Sequence, residues 1–180
     1  MNAQSIFLSL ALLFGFITSL SAQRFNSYRA DQSFNKAVYL ELGGNGILYS
    51  LNYDMRLQRG RQDGIGFKVG IGGLSVNADT DSGSGNAGYL AVPATFNYLL
   101  GRKRHALEMG VGATFFYVSA EGDFGDNGEF VDGHGAALLP HYNFGYRYQA
   151  LNDGFTFRLT YTPFIGVSPF VGISFGFNFK

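Results

Sequence analysis

From Ala37 onward, apolar residues recur at every second position over most of the chain, the mark of β-strands with two unlike faces. The C-terminus carries it most plainly, with Val171, Ile173, Phe175, Phe177 and Phe179 alternating with Gly172, Ser174, Gly176 and Asn178. The same period predicts strands over 155–163, 136–149, 105–117, 89–100 and 65–71. Between Ala37 and Leu57 the apolar face sits on even positions (Val38, Leu40, Leu42) and then on odd ones (Ile47, Tyr49, Leu51, Tyr53, Met55, Leu57). A phase change across Gly43-Gly44-Asn45-Gly46 predicts a hairpin, because a tight Gly/Asn turn restarts the register. A β-bulge would shift the phase as well. With the hairpin, the strands number eight.

The connections alternate. QRGRQD near 58–63, GRKR at 101–104 and ALND at 150–153 are short. The stretches near 77–88 and 119–134, rich in Gly, Asp, Asn and Ser, are expected to be long loops on the other rim, which also carries the short 43–46 and 166–169 connections. Short turns on one rim and long loops on the other are the plan of an outer-membrane barrel.

Which face is outside follows from bulk and charge. The apolar face is large on nearly every strand, and an eight-stranded barrel has room inside only for side chains to fill it. The opposite face is rich in Gly, Ser, Thr and Asn. It carries Glu41, Asp54 and Glu108 against Arg56, Lys68, Arg147 and Arg158, with His141 among them. Buried charges persist when paired and hydrogen-bonded. The expectation is therefore apolar outside, with an interior charge network built from these eight residues. Tyr49, Tyr117, Tyr98, Tyr146 and Tyr148 fall near strand ends on the apolar face, where an interfacial aromatic girdle belongs.

At the other end of the chain, Ile6 to Leu20 is an uncharged apolar run followed by Ser21-Ala22-Gln23. Fifteen residues are short for a membrane-spanning helix, which needs about 20. The run suits a secretory signal peptide, 1–22, cleaved after Ala22. Residues 23–36 show no sustained period and read as a short periplasmic arm, which leaves 37–180 as the barrel domain.

In this pattern, and in the closing Phe175-x-Phe177-x-Phe179, the chain resembles the small eight-stranded outer-membrane β-barrel proteins of Gram-negative bacteria. The resemblance covers about 37–180 and implies an all-β, antiparallel up-and-down transmembrane barrel in the bacterial outer membrane. It also implies that Phe175, Phe177 and Phe179 are an assembly signal read by the barrel assembly machinery. Outer-membrane lipid and lipopolysaccharide are the partners it implies.

Composition narrows the chemistry. Thirteen basic and thirteen acidic residues give no net charge, so no nucleic-acid partner is expected. Without cysteine there is no disulfide, thiolate metal site or Cys nucleophile. No phosphate loop, zinc motif or nucleophile elbow occurs, and no cofactor is expected. Carboxylates Glu121, Asp123, Asp126, Glu129 and Asp132 crowd one stretch, but their spacing is not that of an EF-hand, and a solvated acidic loop is the expectation. Three functional classes stand: a non-enzymatic outer-membrane barrel with a plugged interior and a structural or surface-recognition role; a lipid A-modifying enzyme using His141 with Ser50 or Ser174 and Glu41 or Glu108; and a soluble lipocalin-like barrel. No spacing motif supports the second, and the bulk of the apolar face opposes the third.

Overall fold

The computed structural model describes residues 35–80, 83–102, 104–124, 129–151 and 153–180. The signal peptide and nearly all of the N-terminal arm lie outside the described residues. The strands are β1 Lys36–Gly43, β2 Tyr49–Arg56, β3 Gly64–Thr80, β4 Gly83–Arg102, β5 His105–Phe124, β6 Glu129–Gln149, β7 Gly154–Thr162 and β8 Phe170–Phe179. Each pairs antiparallel with its sequence neighbours, and β8 pairs with β1, so the sheet closes into an up-and-down barrel. Closure leaves the eight strands no free edge in the barrel wall.

The connection between β1 and β2 is a hairpin, with Leu42 opposite Tyr49 and a short 3-10 turn at Gly44–Gly46. Gly43 and Gly44 adopt φ of 75° and 64°, and a Cβ on Gly43 would collide with the Val171 carbonyl oxygen. Gly43→Ala is therefore expected to destabilise the barrel by about 1–3 kcal/mol, read as a lower urea midpoint in an unfolding titration.

Two expected loops are strand instead. The stretches near 77–88 and 119–134 continue the ladders, with pairing as far as Thr80 opposite Gly83 and Phe124 opposite Glu129. Strands β3 to β6 run to 17, 20, 20 and 21 residues, against 8 to 10 for the other four. Their upper halves rise beyond the closed wall as a four-stranded sheet exposed on both sides. The sequence there loses its alternation of large apolar and small polar residues because neither face is covered. Composition alone then reads as loop, while the backbone ladder continues.

Within the wall, side chains divide by face. Phe96 is 58% exposed on the outside, Leu138 65% and Phe177 62%, whereas Glu41, Ser50, Lys68, Thr114, Arg158 and Ser174 are fully buried. Outward positions of β4 run Leu90, Val92, Ala94, Phe96, Tyr98 and Leu100. That run spans about 34 Å along the strand at roughly 3.4 Å per residue.

Candidate functional site

Inward-facing positions of six strands bring seven charges together. Glu41 comes from β1, Asp54 and Arg56 from β2, Lys68 from β3, Glu108 from β5, Arg147 from β6 and Arg158 from β7. They alternate in sign along one path. Arg56 bonds Asp54 at 2.5 Å. Arg147 grips the same carboxylate with both terminal nitrogens, at 3.3 and 2.9 Å, and donates from Nε to Glu108 at 2.9 Å. Arg158 holds Glu108 in the two-pronged geometry that makes guanidinium–carboxylate pairs strong, at 2.6 and 3.0 Å. Glu41 closes the path, 3.6 Å from Arg158 and 3.7 Å from Lys68.

Three acids face four bases, so both ends of the path are positive and each acid is shared between two cations. Neutral donors and acceptors complete the contacts. Asn97 accepts from Arg56 and donates to Asp54 at 2.7 Å. Thr160 donates to Glu41 at 3.2 Å, and the Arg158 guanidinium lies 4.4 Å from the Tyr39 ring centroid. Among the described residues Lys68 Nζ makes no hydrogen bond, and its hold on the path is the Glu41 contact.

His141 belongs to a separate, neutral group. The turn between β1 and β2 carries Asn45, which is fully buried in the barrel. Its amide nitrogen lies 3.2 Å from Thr95 Oγ1 and 3.1 Å from His141 Nε2, while its oxygen accepts from Asn143 at 2.9 Å and Thr162 at 3.0 Å. Thr114 donates to the Asn45 carbonyl at 3.1 Å. Four strands and the turn are thereby tied at one residue.

Beyond this group lies an apolar cap of Ala91, Phe116 and Phe164, with Ile47, Tyr89, Leu139 and Phe170 packed against it. Phe164 comes from the β7–β8 connection and meets the His141 ring edge-on at 5.3 Å. At the opposite mouth the β2–β3 connection folds across the rim. Gln62 donates to the carbonyls of Ala150 and Leu151 at 3.0 and 2.7 Å and accepts from Gln149 at 3.0 Å. Beside it, paired hydrogen bonds from Arg61 to Asp63 at 2.9 and 3.1 Å raise the Arg61 pKa above its ordinary value.

A Ser–His–acid arrangement is not assembled. The His141 ring nitrogens face Asn45, Thr95 and Thr114, Ser50 accepts from Asn52 at 2.8 Å, and Ser174 lies 3.4 Å from Arg158. Phe175 and Phe177 face outward on β8, half-buried Phe179 continues their row, and the Phe175 ring packs on Phe157 at 5.4 Å. Glu121 stands opposite Asp132, both exposed, whereas the carboxylates of Asp123, Asp126 and Glu129 lie outside what is described. Among the described residues no three metal-ligating side chains converge.

Sequence reasoning passed over Asn45, Thr95, Asn97, Thr114 and Asn143. Four of these had a signal, since they are polar residues at inward parity on strands already recognised. Asn45 had none, because nothing in Gly-Gly-Asn-Gly says that a turn will fold into the lumen.

No family model and no curated protein matches the chain. Among solved structures it is similar to Ail, the attachment invasion locus protein of Yersinia pestis, determined in complex with the heparin analogue sucrose octasulfate. The TM-score is 0.47 at 14% identity, covering 82% of this chain and 97% of that one. It is also similar to the N-terminal β-barrel domain of Pseudomonas aeruginosa OprF, at a TM-score of 0.44 and 16% identity, covering 84% of this chain and 100% of that domain.

Proposed function

We propose that this chain is an integral outer-membrane barrel with a plugged polar interior, serving a structural or surface-recognition role and forming no large pore. The observation that carries the reading is the outward band of β4. At a strand tilt of about 40° its run from Leu90 to Leu100 rises about 26 Å along the barrel axis, against the roughly 25 Å apolar band of membrane barrels. Outside that band the exposed face turns polar, and inside the wall the charges are paired. Water would leave this outer face unfavourably wet, whereas lipid covers it.

The plugged interior is supported from three levels: the charge path, the group around Asn45 and the apolar cap. Surface recognition would fall to the sheet formed by the upper halves of β3 to β6, which stands clear of the lipid. Lipopolysaccharide and outer-leaflet lipid are the partners this placement offers, and the barrel assembly machinery would read the Phe175, Phe177 and Phe179 row during insertion.

The test is a boiled-versus-unboiled gel of the detergent-extracted outer-membrane fraction. A folded species whose mobility changes on boiling is expected. Recovery in the soluble periplasmic fraction without detergent would overturn the reading. In planar bilayers the folded protein is expected to give no sustained open-channel current, and a steady large conductance would refute the plug.

A further inference from the structure

The boundary between apolar and polar on the outer face of β2 to β5 can be followed residue pair by residue pair. One row across the strands reads Leu51, Ile71, Val92, Phe115 and Leu138, following the register from strand to strand. The next reads Tyr49, Gly73, Leu90, Tyr117 and Ala136, with Tyr49 set beside Gly73 by continuing the β2–β3 register. Above it come Ser75, Gly88, Ser119 and His134, then Asn77, Asn86, Glu121 and Asp132. Apolar, aromatic, small-polar and acidic rows thus succeed one another at the spacing of alternate residues.

At the middle of this step the outer face is indented. A groove of about 530 Å³ is lined by Tyr49, Gly73, Ser75, Gly88, Tyr117 and Ser119. It is shallow and open to its surroundings, so it would hold a ligand against the face without enclosing it. The floor is glycine on two adjacent strands, the walls are two tyrosine rings and the upper lip carries two hydroxyls. Below it the apolar row offers a track for acyl chains.

The chemistry of this lining selects an occupant. No Lys or Arg lines the groove, its nearest basic residue is His134 opposite Ser119, and the acids Glu121 and Asp132 stand two rows above Tyr117 and Ala136. Phosphate recognition draws on guanidinium or ammonium groups, so a phosphorylated headgroup is disfavoured here. Tyrosine pairs an apolar ring face with a polar tip, and serine hydroxyls donate and accept. Flat C–H faces edged by hydroxyls, as on a pyranose ring, complement both.

We propose that this groove seats the sugar of a neutral glycolipid of the outer leaflet, its acyl chains lying along Leu51, Ile71, Val92 and Phe115. The proposal rests on the reading that the barrel is embedded in the outer membrane with this rim outward. The occupant is a lipid and not a free glycan, because the groove opens directly onto the apolar row.

The test uses the full chain purified from membranes and placed in nanodiscs of phosphatidylethanolamine doped with monoglucosyl diacylglycerol, with bound lipid read by native mass spectrometry. The glycolipid should be retained over phosphatidylethanolamine, and Tyr49→Leu with Tyr117→Leu should reduce that preference about tenfold. In the wild-type protein, sugar-ring protons should show NMR contacts to tyrosine-ring protons, a measurement that needs no variant. Equal retention of the two lipids, or a preference unchanged in the double variant, would overturn the proposal. So would binding of methyl glucoside as tight as that of the glycolipid. The gel shift on the same nanodiscs keeps the two failures apart: absence of a heat-modifiable form there would overturn the membrane reading and this site with it.

Discussion

Glu108→Ala will destabilise the folded barrel by about 3–5 kcal/mol, the cost of leaving buried charges without their partner. Glu108 is the acid at the centre of the path, where it receives Arg147 at 2.9 Å and Arg158 at 2.6 and 3.0 Å. Its loss leaves two acids against four bases inside the wall. Arg147 keeps Asp54, but Arg158 is left with Glu41 at 3.6 Å, a weak Ser174 contact at 3.4 Å and the Tyr39 ring. Urea titration with the gel shift as readout measures the change. Lys68→Met is the control from the far end of the same path. It makes three acids face three bases and removes a group that had no hydrogen bond to lose. Lys68→Met takes one partner from the buried Glu41, which keeps Arg158 at 3.6 Å and the Thr160 hydroxyl at 3.2 Å, so its loss should be clearly smaller than that of Glu108→Ala. Equal losses in the two variants would refute the path as described.

The second large effect lies on the other face. Phe96→Arg, at the middle of the β4 band, should cost about 2–4 kcal/mol in a bilayer, the penalty for a cation near the membrane midplane of a barrel. Asn86→Arg, ten residues earlier on the same outward row and already among polar neighbours, should cost roughly 0–1 kcal/mol. The contrast between the two positions carries the meaning. In water an arginine at a 58% exposed Phe96 would be nearly neutral or improve solubility. A loss at 96 and none at 86, measured by refolding into vesicles, is the expected pair of outcomes.

The wall of the barrel was legible in the sequence because its outer face and its lumen impose opposite demands on alternate residues. Wherever both demands act, as along Leu90 to Leu100 or Phe155 to Thr162, the period of two survives and the strand can be read. Beyond the wall neither face is constrained, and Gly-Ser-Asn-Asp sequences such as 77–80 and 83–88 read as loop although their backbones stay paired. The polarity even reverses there. On β5 the inward row turns apolar at the exposed Val118, while the outward row turns polar at Ser119 and Glu121. A reader of the pattern alone meets this as lost alternation.

The interior was legible to a different depth. Charged residues on an otherwise small and polar face stand out, so Glu41, Asp54, Arg56, Lys68, Glu108, Arg147 and Arg158 could be gathered from parity. Their partners could not, since pairing depends on the stagger of non-adjacent strands: Arg147 reaches across to Asp54, 93 residues away in sequence. His141 illustrates the difference. Parity assigned it to the interior with the charges, but the fold surrounds it with amides and hydroxyls delivered partly by a turn from the first hairpin. The groove was invisible for the same reason, because its nine lining residues lie on four strands and none is unusual by itself.

The most direct test of the account exploits a chain without cysteine. Single cysteines introduced at 84, 86, 88, 90, 92, 94, 96, 98 and 100, spin-labelled and reconstituted in lipid vesicles, report whether each outward position of β4 meets lipid or water. Oxygen should relax the labels from 90 to 100 most strongly, with a maximum near 96, and a water-soluble nickel complex should dominate at 84 and 86, the crossover falling between 88 and 90. Labels reached by the nickel complex along the whole row would contradict a membrane-embedded barrel.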